Sequence, residues 1–282
     1  MRIAHVILTH KNPAQVARLT AALAHPDADC YIHVDRKADI AAFKALETQP
    51  NVYLLHTRID VQWGSYSLVT ASLESLREAL KRGTYDYINH ISGQDFPLRS
   101  AAGFHEFLEA GDNAEYITCY TARSGVDWWK DAALHVWRYN FHNWTIPGKY
   151  RLEKLANALL PKRKFPIGGW EIAGWSQWYT LTAGATKYML DFLDTHPEVV
   201  KFFKYVWGAD EFVASTVLYN SPFKGKIQDH LLYIDWSEGK ASPKTLKAED
   251  FDNLKRSSKW FARKFDTDVD ATILDEIEAT LL

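Results

Sequence analysis

Cysteine is scarce in this chain: Cys30 and Cys119 are the only two among 282 residues. Two cysteines are too few for a disulfide framework or a thiolate zinc site, which excludes the small disulfide-rich and zinc-finger classes. No run of 18 apolar residues occurs, so no membrane-spanning helix is predicted, and no signal peptide precedes the first strand-like run. We therefore expect a cytoplasmic location, with the inner face of a membrane as a peripheral site of work.

A large charge of one sign is also missing. The chain has 33 Lys and Arg against 35 Asp and Glu, a formal net charge of −2. This balance gives no reason to expect nucleic acid or an anionic membrane as the main partner. Basic residues nevertheless gather locally, at 162–164 and around 255–264.

Several catalytic signatures are absent as well. There is no Gly-x-Ser-x-Gly elbow, no phosphate-binding Walker loop and no dinucleotide glycine fingerprint, which argues against several hydrolase, kinase and dehydrogenase classes. The pair Asp27 and Asp29 resembles an Asp-x-Asp metal clamp, but it precedes a predicted strand, which favours a simple turn. A metal-dependent reaction through these two residues stays as an alternative, and no metal cofactor is expected.

Aromatic side chains are abundant: 11 Trp, 14 Tyr and 14 Phe. Flat amphipathic rings stack on sugar faces while their N–H groups bond hydroxyls. Many of these rings belong to the core, but several tryptophans sit among polar loop residues and favour a carbohydrate site. They are Trp63, Trp128, Trp129, Trp175, Trp178 and Trp236.

The first part of the chain has the pattern of a nucleotide-binding α/β half. Strands are predicted at 2–9, 29–34 and 52–55, and a helix at 13–24. Ligands collect at the carboxyl ends of such strands, where Asp35 lies. Its carboxylate either accepts bonds from a base or ribose or merely closes a turn. We expect one domain over 1–282, with a nucleotide-binding half of about 1–110 and an acceptor and catalytic half of about 111–282; the order of 115–164 is not predicted.

Asp210 and Glu211 begin a predicted helix after Gly208. On this interpretation Asp210 caps the helix, and Glu211 stands at an exposed first turn beside an aromatic wall. A carboxylate placed there suits a general base. The alternative is an acidic pair that serves only the cap and the helix dipole.

Arg263 and Lys264 lie in a tail, 248–282, that is predicted to be largely helical. Arg offers a forked contact to phosphate oxygens, and Lys offers a compact charge. Together with Glu211 they would supply a base and a cationic partner for a departing diphosphate, as inverting glycosyl transfer needs. The alternative is a solvated helix end.

Six short motifs, in order along the chain, resemble one family: the core-2/I-branching β-1,6-N-acetylglucosaminyltransferases and peptide O-xylosyltransferases, glycosyltransferase family 14. Each motif is weak alone, and the set of six in order is specific. The matching stretches are Tyr-Ile-His-Val-Asp at 31–35, Trp-Gly-Ser-Tyr-Ser at 63–67, Ile-Ser-Gly-Gln-Asp-Phe-Pro-Leu at 91–98, Ser-Gln-Trp-Tyr-Thr-Leu at 176–181, Ala-Asp-Glu-Phe at 209–212 and Phe-Ala-Arg-Lys-Phe at 261–265.

The resemblance implies a GT-A-like α/β fold, with a mixed, mostly parallel central sheet flanked by helices. It also implies an inverting, metal-independent transfer from a UDP-sugar to a glycan acceptor. Glu211 matches the family's catalytic base, while Arg263 and Lys264 match the pair that holds the donor diphosphate. A carbohydrate-binding or inactive transferase-like protein is the alternative from another class.

The remaining site residues are carried over by position. Asp35 and Trp63 match the nucleoside side, where Gly64 would let the backbone approach the ligand, and Asp95 matches an Asp of the donor site. Trp236 matches a Trp near the acceptor.

Ser176 and Trp178 match a sugar-site loop. Gln177 departs from the acidic residue of the xylosyltransferase branch, which puts a xylose donor and a peptide acceptor in doubt. A second cation for the diphosphate has no clear match; Lys240 and Lys244 are candidates.

Overall fold

The computed structural model describes residues 1–282. A seven-stranded sheet forms its centre, in the order β10-β6-β9-β4-β1-β2-β3, and β9 alone runs against its neighbours. Its strands are β1 Ile3–Thr9, β2 Ala28–Val34, β3 Val52–Leu54, β4 Tyr87–Ser92, β6 Glu115–Tyr116, β9 Tyr179–Thr182 and β10 Ile227–Gln228.

Two smaller sheets lie beside the central one. β11, β12 and β5 form the first, and β7 pairs with β8 in the second. Their bounds are β5 Asp95–Pro97, β7 Cys119–Thr121, β8 Ala173–Trp175, β11 Leu232–Ile234 and β12 Phe261–Arg263.

Helices cover both faces of the central sheet. Because successive strand residues point to opposite faces, Ala4 and Val6 of β1 join one hydrophobic cluster while Ile3 and Ile7 join another. No helix is both long and apolar enough to cross a membrane. The helices are α1 Pro13–Ala22, α2 Tyr66–Arg82, α3 Ala101–Ala110, α4 Trp128–Trp137, α5 Lys149–Leu159, α6 Ala183–Thr195, α7 Pro197–Phe203, α8 Val213–Tyr219, α9 Phe251–Arg256 and α10 Thr272–Thr280.

The predicted α/β fold is confirmed: a mixed, mostly parallel central sheet lies between helices. The early strand–helix–strand–strand order is also as predicted. The prediction of a largely helical tail is wrong in one place, because residues 261–263 form the strand β12. This strand pairs with β5 and β11 and is buried, so the long-range pairing overrides the local pattern.

Candidate active site

The carboxyl ends of β1, β2 and β4 meet at one edge of the central sheet. Thr9 pairs in register with Val34, and Leu8 with Ser92, in parallel ladders. Strand β9 runs antiparallel to β4, so the residues just before Tyr179 reach the same edge. The edge therefore gathers the loops that follow three strands and the loop that precedes a fourth, as expected for a ligand site in an α/β sheet.

Glu211 lies in a single 3-10 turn, Ala209–Glu211, that precedes α8. The predicted helix is present, but the prediction that Asp210 caps it is wrong, because Gly208 starts the turn and the Asp210 side chain makes no cap bond. The prediction of an exposed carboxylate is also wrong: Glu211 is half-buried. The cause is packing, since Phe212 is fully buried and draws the turn against the body.

The aromatic wall beside Glu211 is present. The Trp128 ring lies 5.6 Å from that of Phe212 and 5.5 Å from that of Trp175. The Trp175 indole N–H donates to His230 at 3.2 Å. Two half-buried tryptophans therefore continue a row of rings that begins at Phe212, the residue after Glu211.

No cation is paired with the Asp210–Glu211 carboxylates. Burial raises the pKa of both groups, and the neighbouring Asp210 charge raises the pKa of Glu211 further. Asp210 borders a small cavity of about 20 Å³ that Ser72 and Gln177 also line, and its buried Oδ1 atom has no hydrogen-bond partner. A carboxylate in this setting takes up a proton more readily than one in water.

Asp95 and Arg263 form a buried ion pair on the other side of the edge. The strand register places them opposite each other, and Arg263 Nε lies 3.1 Å from Asp95 Oδ1. Asp95 is fully buried, and its Oδ2 atom accepts a bond from the Ser92 backbone at 2.8 Å. Burial raises the pKa of Asp95 to about 6, although the Arg263 charge acts in the opposite direction.

The Arg263 guanidinium also stacks on an aromatic ring. It lies 4.3 Å from the centroid of Trp178, whose other neighbour is His90 at 5.1 Å. Burial lowers the pKa of Arg263, which stays cationic because guanidinium remains protonated in proteins. The alternative of a solvated helix end for Arg263 is therefore wrong.

Lys264 reaches outward from the same strand end. It is partly exposed, and its ammonium donates to Ser242 at 3.1 Å. Burial lowers the pKa of Lys264, and the Arg263 and Lys11 charges lower it further. Lys11, which follows β1, pairs with Asp266 at 2.5 Å. Arg263, Lys264 and Lys11 are therefore close enough to influence one another, and the carboxylates of Asp266 and Glu238 act on Lys264 in the opposite direction.

The segment 174–178 lies between Glu211 and Arg263. A Cβ atom on Gly174 would lie 2.9 Å from the Glu211 backbone oxygen, so only glycine allows this approach. At the other end of the segment, Trp178 contacts Arg263. Four residues span at most about 14 Å when extended. Glu211 and Arg263 thus flank one short stretch, although about fifty positions separate them in the chain.

Trp63 and Gly64 lie beside the Glu211 turn. Trp63 is 61% exposed, and its ring meets the Trp207 ring edge-on at 5.0 Å. Gly64 accepts a backbone bond from Gly208 at 3.0 Å. At its φ of 73° a Cβ atom would also lie 2.8 Å from the Trp207 indole nitrogen, so packing alone already requires glycine here.

Asp35 directly follows β2, as predicted, and is buried. One oxygen accepts from the Lys37 backbone at 2.8 Å, and the other lies 3.3 Å from the Lys37 ammonium. That ammonium also bonds Asp60 and the Val61 carbonyl, close to Trp63. Asp35 thus closes a turn and stands at the ligand edge, and the two interpretations are compatible.

Ser176 and Trp236 differ in their exposure to solvent. Ser176 is buried, and its hydroxyl accepts from the Trp178 backbone at 3.2 Å, which shapes the loop. Trp236 is 45% exposed and lies two residues beyond Ile234, the register partner of Arg263. No ion pair, hydrogen bond or ring contact joins Trp236 to the other predicted site residues.

Lys240 and Lys244, the two candidates for a second cation at the diphosphate, both pair with a carboxylate, and the two pairs differ in exposure. Lys244 is held by Asp250 at 2.6 Å, while Lys240 pairs with Glu238 on the surface. Lys11 is a candidate that sequence reasoning missed. Its position directly after the first predicted strand was a usable signal, because ligands collect at that end.

The alternative metal clamp has a different environment. Asp29 lies in β2, near its amino end, where it accepts from Arg2 at 2.7 Å and Tyr85 at 2.6 Å. Asp27 precedes the strand. The two aspartates are therefore at the far end of β2 from Asp35.

A sequence model of the Core-2/I-branching enzyme family matches residues 3–255. The chain belongs to this family of glycosyltransferases, as the six motifs indicate.

The proteins of similar sequence are distant relatives and are much longer than this chain. The chain is 25% identical to xylosyltransferase oxt of Drosophila melanogaster, over 100% of this chain and 33% of that protein. It is 25% identical to human xylosyltransferase 1, over 99% of this chain and 30% of that protein. It is 24% identical to rat xylosyltransferase 2, over 99% of this chain and 33% of that protein. The chain thus spans about a third of the length of these relatives.

Solved structures are similar at a low level only. A putative glucose-1-phosphate thymidylyltransferase from Bacillus anthracis has a TM-score of 0.40 at 11% identity, over 81% of this chain and 86% of that chain. S. aureus TarS 1–349 in complex with UDP-GlcNAc has a TM-score of 0.34 at 8% identity, over 73% of this chain and 53% of that chain. At these TM-scores the likeness says nothing about function.

Proposed function

We propose that the chain is an inverting, metal-independent glycosyltransferase that moves N-acetylglucosamine, xylose or a similar sugar from UDP to a glycan hydroxyl. The observation that carries this proposal is the arrangement of Glu211 and Arg263 at the two ends of segment 174–178. Family membership supports the class of reaction. The xylosyltransferase names of relatives support a UDP-sugar donor.

In the proposed step, the Glu211 carboxylate takes the proton of the acceptor hydroxyl. The acceptor oxygen forms a bond to the anomeric carbon, while the bond from that carbon to the diphosphate oxygen breaks and UDP leaves. One displacement inverts the anomeric centre. Burial of Glu211 supports its role, because a raised pKa makes a carboxylate a stronger base.

Charge on the leaving diphosphate would be balanced by Arg263 and Lys264, with Lys11 as a further cation. Fixed cations in a partly desolvated site stabilise developing negative charge and replace the role that a metal has elsewhere. Asp95 would hold Arg263 in place rather than contact substrate.

Recognition would fall to the residues around this centre. Asp35, Trp63 and Gly64 would contact the nucleotide, the loop with Ser176 and Trp178 the sugar, and Trp236 the acceptor. The expected place of work remains the cytoplasm, which the two unpaired cysteines suit.

The test is a panel of UDP-sugars assayed for hydrolysis and transfer, with and without EDTA. We expect one donor to give turnover that survives the chelator. Activity that strictly requires manganese would refute the metal-free mechanism. Sugar binding without UDP affinity or turnover would support the alternative, a carbohydrate-binding or inactive protein.

A further inference from the structure

Helix α5 (Lys149–Leu159) turns its polar side toward the body of the protein. None of its residues is buried. Glu153 accepts from the Phe141 backbone at 2.8 Å, and Asn157 exchanges bonds of 2.9 and 2.8 Å with the Tyr139 backbone. Just after the helix, the buried Arg163 donates to several backbone carbonyls. The segment is thus held by polar contacts, opposite to the usual arrangement of a surface helix.

The apolar side of α5 faces water. Leu152, Leu155 and Leu159 recur at spacings of three and four, so they share one face. They are 43%, 54% and 73% exposed. Further exposed apolar residues stand just before and just after the helix in the chain. We call the set the α5 face: Trp144, Ile146, Leu152, Leu155, Leu159 and Leu160.

Cations border the α5 face. At about 100° per residue, Arg151 lies about 40° from Leu155 around the helix and borders the leucine stripe, and Lys154 lies about 100° from Leu155, on the flank beyond Arg151. Lys162 and Lys164 follow the helix and are exposed. The one acidic residue between 149 and 164 is Glu153, which bonds inward. Positive charge is therefore concentrated here, although the whole chain is slightly negative.

We propose that the α5 face rests on an anionic lipid bilayer, with the helix lying in the plane of the surface. The leucines and Trp144 would enter the boundary between headgroups and acyl chains, while the cations meet lipid phosphates. Charge complementarity favours this occupant over a second copy of the chain. A symmetric contact between two copies would bring the same cations close to each other.

The experiment measures how the full chain partitions onto vesicles. We expect it to sediment with phosphatidylcholine vesicles that contain phosphatidylglycerol, and much less with phosphatidylcholine alone. Higher salt should weaken the binding, because it screens the charge attraction.

Two matched pairs of variants test the two parts of the surface. Leu155→Asp should abolish sedimentation, while Val269→Asp, at a residue exposed to a similar degree elsewhere, should not. The double variant Arg151→Ala with Lys154→Ala should partition about thirtyfold less, at roughly fivefold for each cation. The matched double variant Lys201→Ala with Lys255→Ala should bind like the original protein.

Any of three results would overturn the proposal. The first is equal binding to neutral and anionic vesicles, and the second is unchanged binding of both α5 variants. The third is a dimer in solution that Leu155→Asp dissociates, which would make a second copy the occupant. The readout does not use sugar transfer, so it is separate from the test of the proposed function.

Discussion

Glu211 and Asp95 are both carboxylates of the candidate site, but only Asp95 has a cation beside it. Asp95 is fully buried at 3.1 Å from Arg263, whereas Glu211 has Asp210 as its charged neighbour. Burial raises the pKa of both. A paired carboxylate holds a partner in position, and an unpaired one is ready to accept a proton. Under the proposed function, the paired carboxylate would support Arg263 and the unpaired one would take the acceptor proton.

The largest expected effect concerns the paired side. Arg263→Met should lower the free energy of unfolding by about 3–5 kcal/mol, because it leaves the buried Asp95 without its cation. Denaturant titration measures this. Adding Asp95→Asn should recover part of the loss, since the unpaired charge is removed. A loss under about 0.5 kcal/mol, typical of surface sites, would contradict the buried-pair interpretation.

Next in size is the effect at the unpaired carboxylate. Glu211→Gln should reduce kcat at least about a hundredfold, because the amide cannot take the acceptor proton. UDP affinity, measured by calorimetry, should be largely kept. Turnover near that of the original protein would remove Glu211 from its proposed role.

A smaller effect is expected at the outer cation. Lys264→Met should weaken UDP binding about tenfold, in line with the loss of one charge-assisted contact. Stability should change little, because the side chain is partly exposed. Lys240→Met is the control, since that ammonium pairs with Glu238 on the surface. Equal UDP affinity in the two variants would count against the diphosphate assignment.

The smallest effect separates Asp210 from Glu211. A general base acts only when deprotonated, so kcat/KM should fall as the pH drops through the pKa of Glu211. Because that pKa is raised, the fall should occur at a higher pH than for an ordinary glutamate. Asp210→Asn removes the adjacent negative charge, so the Glu211 pKa should fall and the acidic loss of kcat/KM should move to lower pH. An acidic loss of kcat/KM at the same pH in both proteins would show that burial alone raises the pKa of Glu211.

Much of the framework was predictable from local patterns. Apolar runs and helical spacing located β1, α1, β2 and β3, and they placed Asp35 at a strand end. These elements are predictable because each is stabilised by a buried face that its own residues display. The six motifs also indicated the family, because each motif is a short stretch of neighbouring residues.

The tertiary structure decided where the charges stand. Strand pairing buried Arg263 against Asp95, and Phe212 drew Glu211 inward. It also brought Lys11 near Lys264 across more than 250 positions. Local sequence patterns by themselves determined the early strands and helix and the kinds of chemical groups that the chain carries. The partners and burial of those groups depended on contacts between distant segments, which no local pattern encodes.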